Sequence, residues 1–247
     1  MRKEYQNYVF DLYGTLVDIH TEEGPPILWK KLATYLAFQG YAVDARSLRA
    51  DYLHFCALLT SRAEETFPAR HLQGPFEIEI RDVWRMLLAR RGAAPDDRLI
   101  EDVCRLFRAL SLKKLRLYPD ALPTLAALRK EGRGVYLLSN AQSAFTRPEL
   151  RFLGLEDRFD GILISSEAGC KKPSPSFFSL LQSRFSLEPE STVMIGNDAE
   201  SDCRGAAGVG MDSLYIFTGG PARPENGLPG NCREIKRLRD VLSDPEH

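Results

Sequence analysis

The chain has 247 residues, which at roughly 150 residues per domain predicts one large domain or one domain carrying an insertion. Its 44% hydrophobic and 27% charged residues are too apolar for disorder and too evenly mixed for a fibre. Thirty-three Lys and Arg against thirty-four Asp and Glu leave a net charge of -1, which excludes a global electrostatic pull toward nucleic acid or an anionic membrane.

At the N-terminus, Met1-Arg2-Lys3-Glu4 is charged, and the apolar run after it is broken almost at once by Asp11. No signal peptide is read there. No apolar run approaches the ~20 residues needed to cross a bilayer, so no membrane partner is expected. Cys56, Cys104, Cys170, Cys203 and Cys232 are odd in number and form no CxxC pair, which favours reduced thiols over disulfides or a zinc site. These readings predict a cytoplasmic protein, a monomer or a homodimer.

The first predicted strand is Tyr8-Val9-Phe10. Four more apolar, β-branched runs follow at Val135 to Leu138, Ile162 to Ile164, Val193 to Ile195 and Leu214 to Phe217. Each reads as a buried strand. Helical patterns accompany the later ones, such as Leu122, Leu125, Ala126, Leu128 and Phe177, Phe178, Leu180, Leu181. Alternating strands and helices predict a parallel sheet covered on both faces.

More than a hundred residues separate the first strand from the second, so something is inserted between them. Trp29, Leu32, Ala33, Leu36, Ala37 and then Ile100, Val103, Cys104, Phe107 follow the helical spacing. Gly40, Pro68, Gly74-Pro75, Gly92 and Pro95 divide the segment into about four helices. The expected architecture is α/β: a Rossmann-like parallel sheet core from residues 1–17 and 116–247, with an all-helical subdomain over 18–115. Arg105, Arg108, Lys113, Lys114 and Arg116 are read as a solvated helix face rather than a nucleic-acid groove. Gly219 to Gly230 reads as loop, and a short helix is expected around Ile235 to Leu242. His20, His54, His71 and His247 show no metal-binding spacing.

Ligands of an open parallel sheet bind beyond the carboxyl ends of its strands. There the sequence places Asp11-Leu12-Tyr13-Gly14-Thr15, Ser139-Asn140, and Gly196-Asn197-Asp198 with Asp202 one turn on. Lys171-Lys172-Pro173-Ser174-Pro175 starts a helix, its prolines suited to the first turn. Singly these are a turn Asp, an N-cap, a solvated Lys and a loop. Together they gather carboxylates, hydroxyls, an amide and an ammonium at one sheet edge, as an anionic substrate requires.

In this arrangement the sequence resembles the haloacid dehalogenase superfamily. Val9 through Asp18 is similar to its first motif, Leu138-Ser139-Asn140 to its second, Lys172 through Pro175 to its third, and Ile195-Gly196-Asn197-Asp198 through Asp202 to its fourth. The helical insertion fits the position and size of the family's cap. The resemblance implies that Asp11 is a nucleophile forming a covalent aspartyl intermediate that water cleaves. It implies Mg²⁺ bound by the Asp11 carboxylate, the Tyr13 main-chain carbonyl, and Asp198 or Asp202. Thr15, Ser139 and Asn140 would meet the substrate, a small phosphorylated molecule, and Lys172 would neutralise charge.

Family phosphatases usually carry an acid/base Asp where this chain has Tyr13, and a phenol of pKa ~10 is a poor base at neutral pH. Dehalogenases of the family carry Tyr there and work without metal, so Tyr13 implies the alternative of a 2-haloacid dehalogenase, or a weakly active binding protein on the same fold. Asp198 and Asp202 imply the phosphatase. With Asp11 they would make a negative cluster that a divalent cation offsets. Asn197 stands where many relatives have the first Asp, and Asp202 has a structural alternative, a bond to backbone or to Lys172.

Overall fold

The computed structural model describes residues 4–66, 74–92, 94–219, 224 and 227–242. Pro68, His71 and His247 lie outside these. Six described strands, β1 (Asn7–Phe10), β4 (Gly134–Ser139), β5 (Gly161–Ile164), β6 (Thr192–Gly196), β7 (Asp212–Ile216) and β8 (Cys232–Ile235), form one sheet in the order β5-β4-β1-β6-β7-β8. Every neighbouring pair runs parallel. β1 is central, with Phe10 in register with Leu137 of β4 and Ile195 of β6.

Alternation along β1 explains why both faces are covered. Tyr8 and Phe10 point into one core with Leu125 and Leu128 of α5 (Ala121–Lys130) and Leu150 of α6 (Ser143–Phe152). Val9 points the other way, onto Phe177, Phe178 and Leu181 of α8 (Pro175–Phe185). Successive strand residues face opposite sides, so a strand buried on both faces must be apolar throughout. α8 begins with Pro175 at its first turn, as expected. A four-residue helix, α7 (Ser165–Ala168), follows β5 directly.

Among the described residues the insertion holds four helices, α1 (Pro26–Phe38), α2 (Ala45–Thr66), α3 (Ile80–Ala89) and α4 (Asp97–Ser111). They enclose a core of their own, in which the rings of Trp29, Tyr52, Trp84 and Phe107 pack with centroids 5.2 to 5.6 Å apart. Aromatic pairs at this spacing add to the burial of their area. Ala144 and Phe145 of α6 also belong to this cluster.

Three expectations require correction. The chain leaves and re-enters the sheet domain through an antiparallel pair, β2 (Val17–Thr21) and β3 (Leu112–Leu117), so the segment between β1 and α5 is not helical throughout. The basic run therefore straddles α4 and β3 and is not one helix face. Lys114 and Arg116 pair with Asp18 at 2.9 Å, while half-buried Arg108 pairs with Glu149 at 2.6 Å. At the C-terminal end, Cys232–Ile235 is an edge strand that was not expected, and the expected short helix is confined to the 3-10 helix Leu238–Leu242. No helix of the described residues is long and apolar enough to cross a membrane.

Candidate active site

The chain winds from β1 to one side of the sheet and later to the other, so β1 lies at the point where strand order reverses, where α/β sheets open a crevice. Asp11 sits just past the carboxyl end of β1, its N–H donating to Ile195 O at 2.9 Å. A tight turn follows, in which the Leu12 carbonyl accepts from Leu16 N and Val17 N, both at 2.9 Å. Gly14 takes φ +88°, and a side chain there would overlap the Asn197 amide. Glycine is thus demanded twice, by the backbone angle and by the close approach. The turn brings the Thr15 hydroxyl within 3.3 Å of Asp11 Oδ2 and 3.2 Å of Asn197 Oδ1.

Lys172 reaches this point from the start of α8. Its Nζ is buried and donates to Asp11 Oδ1 (2.6 Å), Asp202 Oδ1 (2.7 Å) and Leu138 O (2.8 Å). All three ammonium protons are satisfied. Burial works against the charge on Lys172, but Asp11 and Asp202 more than offset it and hold its pKa above the ordinary lysine range. Asn140 fixes the Lys172 backbone. Its Nδ2 donates to Lys172 O at 2.9 Å and its Oδ1 accepts from Lys172 N at 2.8 Å. Ser139, at the end of β4, keeps a buried hydroxyl with no hydrogen-bond partner among the described residues.

The fourth motif is divided differently from the expected acidic cluster. Asp198 is half-buried and caps the π-helical turn Ala199–Arg204, its Oδ1 accepting from Glu200 N (2.9 Å) and Ser201 N (3.1 Å). Asp202 is fully buried, with Oδ1 on Lys172 and Oδ2 accepting from Asp198 N at 3.0 Å. The sequence left Asp198 or Asp202 as the acid beside Asp11 at the ion, with a bond to backbone or to Lys172 as the alternative for Asp202, and Asp202 makes both of those bonds. The structure brings Asp11 and Asp202 to Lys172 and turns the Asp198 oxygen to a helix N-terminus, where orphan N–H groups attract it. The side chain that faces Gly14 and Thr15 is Asn197. Among the described residues, no three His, Cys, Asp or Glu side chains converge as a metal cluster.

Tyr13 points away from Asp11's carboxylate partners. Its hydroxyl lies 3.1 Å from Thr146 Oγ1 and donates to Glu149 Oε2, both on α6. Glu149 in turn accepts from Arg108 Nε of α4 at 2.6 Å, and the guanidinium stands 5.8 Å from the Tyr13 ring centroid and 5.2 Å from that of Phe145. Burial, and next the Glu149 charge, push the Tyr13 phenol above its ordinary range. Arg108 and Glu149 were not legible as partners of the first motif. The signal available was periodicity, since Arg108 is four residues past buried Cys104 and Glu149 four past Phe145, each on its helix's inner face.

The family model for haloacid dehalogenase-like hydrolase matches residues 5–210. The chain belongs to this family. It is 33% identical over 169 residues to a phosphoserine phosphatase of Thermus thermophilus, covering 68% of this chain and 65% of that protein. It is 31% identical over 159 residues to a glyceraldehyde 3-phosphate phosphatase of Methanopyrus kandleri, covering 64% and 68%. Among solved structures, a 2-haloacid dehalogenase from Pseudomonas syringae superposes with TM-score 0.63 at 22% identity, over 96% of both chains. At that identity the match bears on the fold of this family member.

Proposed function

We propose that the protein is a phosphoric monoester hydrolase that attacks a small phosphorylated metabolite with Asp11, beneath a cap formed by residues 18–115 on a core of 1–17 and 116–247. The observation that carries this reading is the pairing of a buried, lysine-held carboxylate with the unpartnered hydroxyl of Ser139 at the neighbouring strand end. A buried donor without a partner costs about 1–3 kcal/mol, a cost that an anionic phosphoryl oxygen removes on binding. The similarity to two phosphatases supports the same class.

In this scheme Lys172 aims the Asp11 carboxylate through its 2.6 Å hydrogen bond, and Asn140 fixes the Lys172 backbone. Ser139 and Thr15 donate to the phosphoryl oxygens. An Asp11 oxygen attacks phosphorus, the P–O ester bond breaks, and the alkoxide takes a proton from solvent to leave as the alcohol. Water later cleaves the acyl phosphate to free Asp11 and inorganic phosphate. Asp202 balances Lys172. The donors near Asp11 suit Mg²⁺ in kind, since they are hard oxygens with no thiol or imidazole among them. Asp11, the Tyr13 carbonyl and the Asn197 amide oxygen would hold it, with Asp198 as the nearby acid. When bound, Mg²⁺ supplies positive charge against the phosphoryl oxygens.

A second reading, a 2-haloacid dehalogenase, is favoured by one observation: neutral Tyr13 and Asn197 stand at the two places where an acid would serve a phosphatase. One experiment separates them. Phosphate release from a panel of small phosphomonoesters and halide release from 2-haloacids are measured side by side, each with magnesium and with chelator. We expect phosphate release that stops on chelation and falls at least about a thousandfold in Asp11→Asn. Chelator-insensitive halide release would overturn the phosphatase, and full turnover by Asp11→Asn would overturn both.

A further inference from the structure

We infer that Cys203 and Cys232 form a redox modification site, a thiol pair that a peroxide or a small-molecule disulfide closes into an intramolecular cross-link beside the lysine-binding carboxylate. The two residues come from distant parts of the chain. Cys203 lies in the π-helical turn after β6 and is fully buried, while Cys232 opens β8 and is partly exposed. They share one small cluster with Ala199, Tyr215 and Leu228, in which Cys232 packs against the buried Cys203. Cys104 and Cys170 lie in other clusters, with Cys56 packed beside Cys104's.

The pair is asymmetric in a way that suits stepwise oxidation. The neighbouring Cys203 thiol holds the Cys232 thiol down to about 7, so the accessible member carries thiolate at neutral pH. Its sulfur attacks one peroxide oxygen, the O–O bond breaks, and hydroxide leaves and is protonated to water, giving a sulfenic acid. The Cys203 sulfur then attacks that sulfur. The S–S bond forms, the S–O bond breaks, and the second oxygen departs as water with the Cys203 proton. Two thiols lose two electrons and two protons, and one peroxide becomes two waters. With a disulfide as oxidant, two exchange steps release two small thiols.

A covalent S–S bond of about 2.05 Å is much shorter than a non-bonded sulfur contact, so closure draws the turn at 199–204 toward β8. Asp202 immediately precedes Cys203, and its carboxylate is packed so closely on Gly196 that a β-carbon there would overlap it. Asp202 and Asp11 share the Lys172 ammonium, so we expect a shift of the turn to reach Asp11 through Lys172.

The cross-link is independent of the reaction proposed above, whereas its effect on turnover rests on that reading. The full chain is treated with hydrogen peroxide or oxidised glutathione, digested without reductant and mapped by mass spectrometry, and phosphate release is assayed alongside. We expect a linked Cys203–Cys232 peptide lighter by two hydrogens, at least a tenfold fall in turnover, and recovery of both with dithiothreitol. Cys232→Ser should keep the basal rate and resist the oxidant. Peptides in which the two cysteines remain separately alkylatable after oxidation would overturn the site. A linked peptide with unchanged turnover would overturn the coupling to Asp202. A linked peptide from a chain that releases no phosphate in either state would uphold the site and count against the phosphatase.

Discussion

At the scale of single residues, the centre is organised by one cation between two carboxylates. Lys172, Asp11 and Asp202 are each at most 8% exposed. Removing one partner from a buried ionic group leaves the others uncompensated, at a cost of about 3–5 kcal/mol. Lys172→Met is therefore expected to lower the urea-unfolding free energy by about that amount, and a loss under 1 kcal/mol would mean that Lys172 does not hold the two acids together. Tyr13 tests the opposite idea. Its hydroxyl is committed to Glu149 and Thr146, and its raised pKa keeps it protonated. Tyr13→Phe should leave turnover within about threefold and cost about 1 kcal/mol of stability, the net worth of one hydrogen bond. A hundredfold loss in kcat at unchanged KM would identify the phenol as the proton donor after all.

Among the elements, residues 75–77 fasten the inserted segment to the sheet domain. Glu77 N donates to Gly169 O and Lys171 N to Pro75 O, both at 3.1 Å, so residues 75–77 run alongside the loop that delivers Lys172. Glu77 also accepts from Ser165 Oγ at 3.0 Å and Gln142 Nε2 at 3.2 Å. Burial raises its carboxyl pKa above the ordinary value, against the lowering effect of Lys171. For an acid whose folded pKa exceeds its unfolded one, the stabilisation is complete below the unfolded pKa and is lost as pH rises through the folded one. Glu77→Gln keeps an oxygen for Gln142 and removes the buried charge. Relative to the parent, it should gain stability as pH rises above the ordinary glutamate range in a denaturation series. A difference that does not change with pH would show that Glu77 is ionised at no cost.

The elements also explain which parts the sequence made legible. The buried strands were readable because a two-sided sheet needs unbroken apolar runs; Asp11 and Ser139 followed as the polar residues at their ends, and Lys172 as the charge before the proline-led start of α8. β2 and β3 were not, because in a strand such as Leu112-Lys-Lys-Leu-Arg-Leu117 half the positions are solvated charges that resemble a helix face. β8 offers one buried residue, Ile235. α6 was obscured by Pro148 in its interior. The exchange of Asn197 for Asp198 at the site is a matter of one residue. Beyond a strand end, consecutive side chains point to opposite sides, and spacing alone does not say which faces the crevice.

For the molecule as a whole, the two cores are joined through α6. Its Leu150 packs in the sheet core, whereas Ala144 and Phe145 pack in the helical one, with Phe145 6.1 Å from Phe107 by ring centroids. The Arg108 guanidinium lies against both Phe145 and Tyr13, so aromatic packing and the Glu149 ion pair reinforce one junction. Units coupled by a buried interface unfold together, and loosening the interface separates them. Phe145→Ala removes a ring that is 8% exposed and should cost about 3–5 kcal/mol. Because the lost contacts lie between the cores, calorimetry should show a single transition in the parent and two in the variant, the helical unit melting first. One transition displaced to lower temperature would instead place the coupling in the β2–β3 pair and the Glu77 contacts. Hydrogen exchange distinguishes the two, since a helical unit that melts separately loses protection in α1, α3 and α4 while β1, β4 and β6 keep theirs.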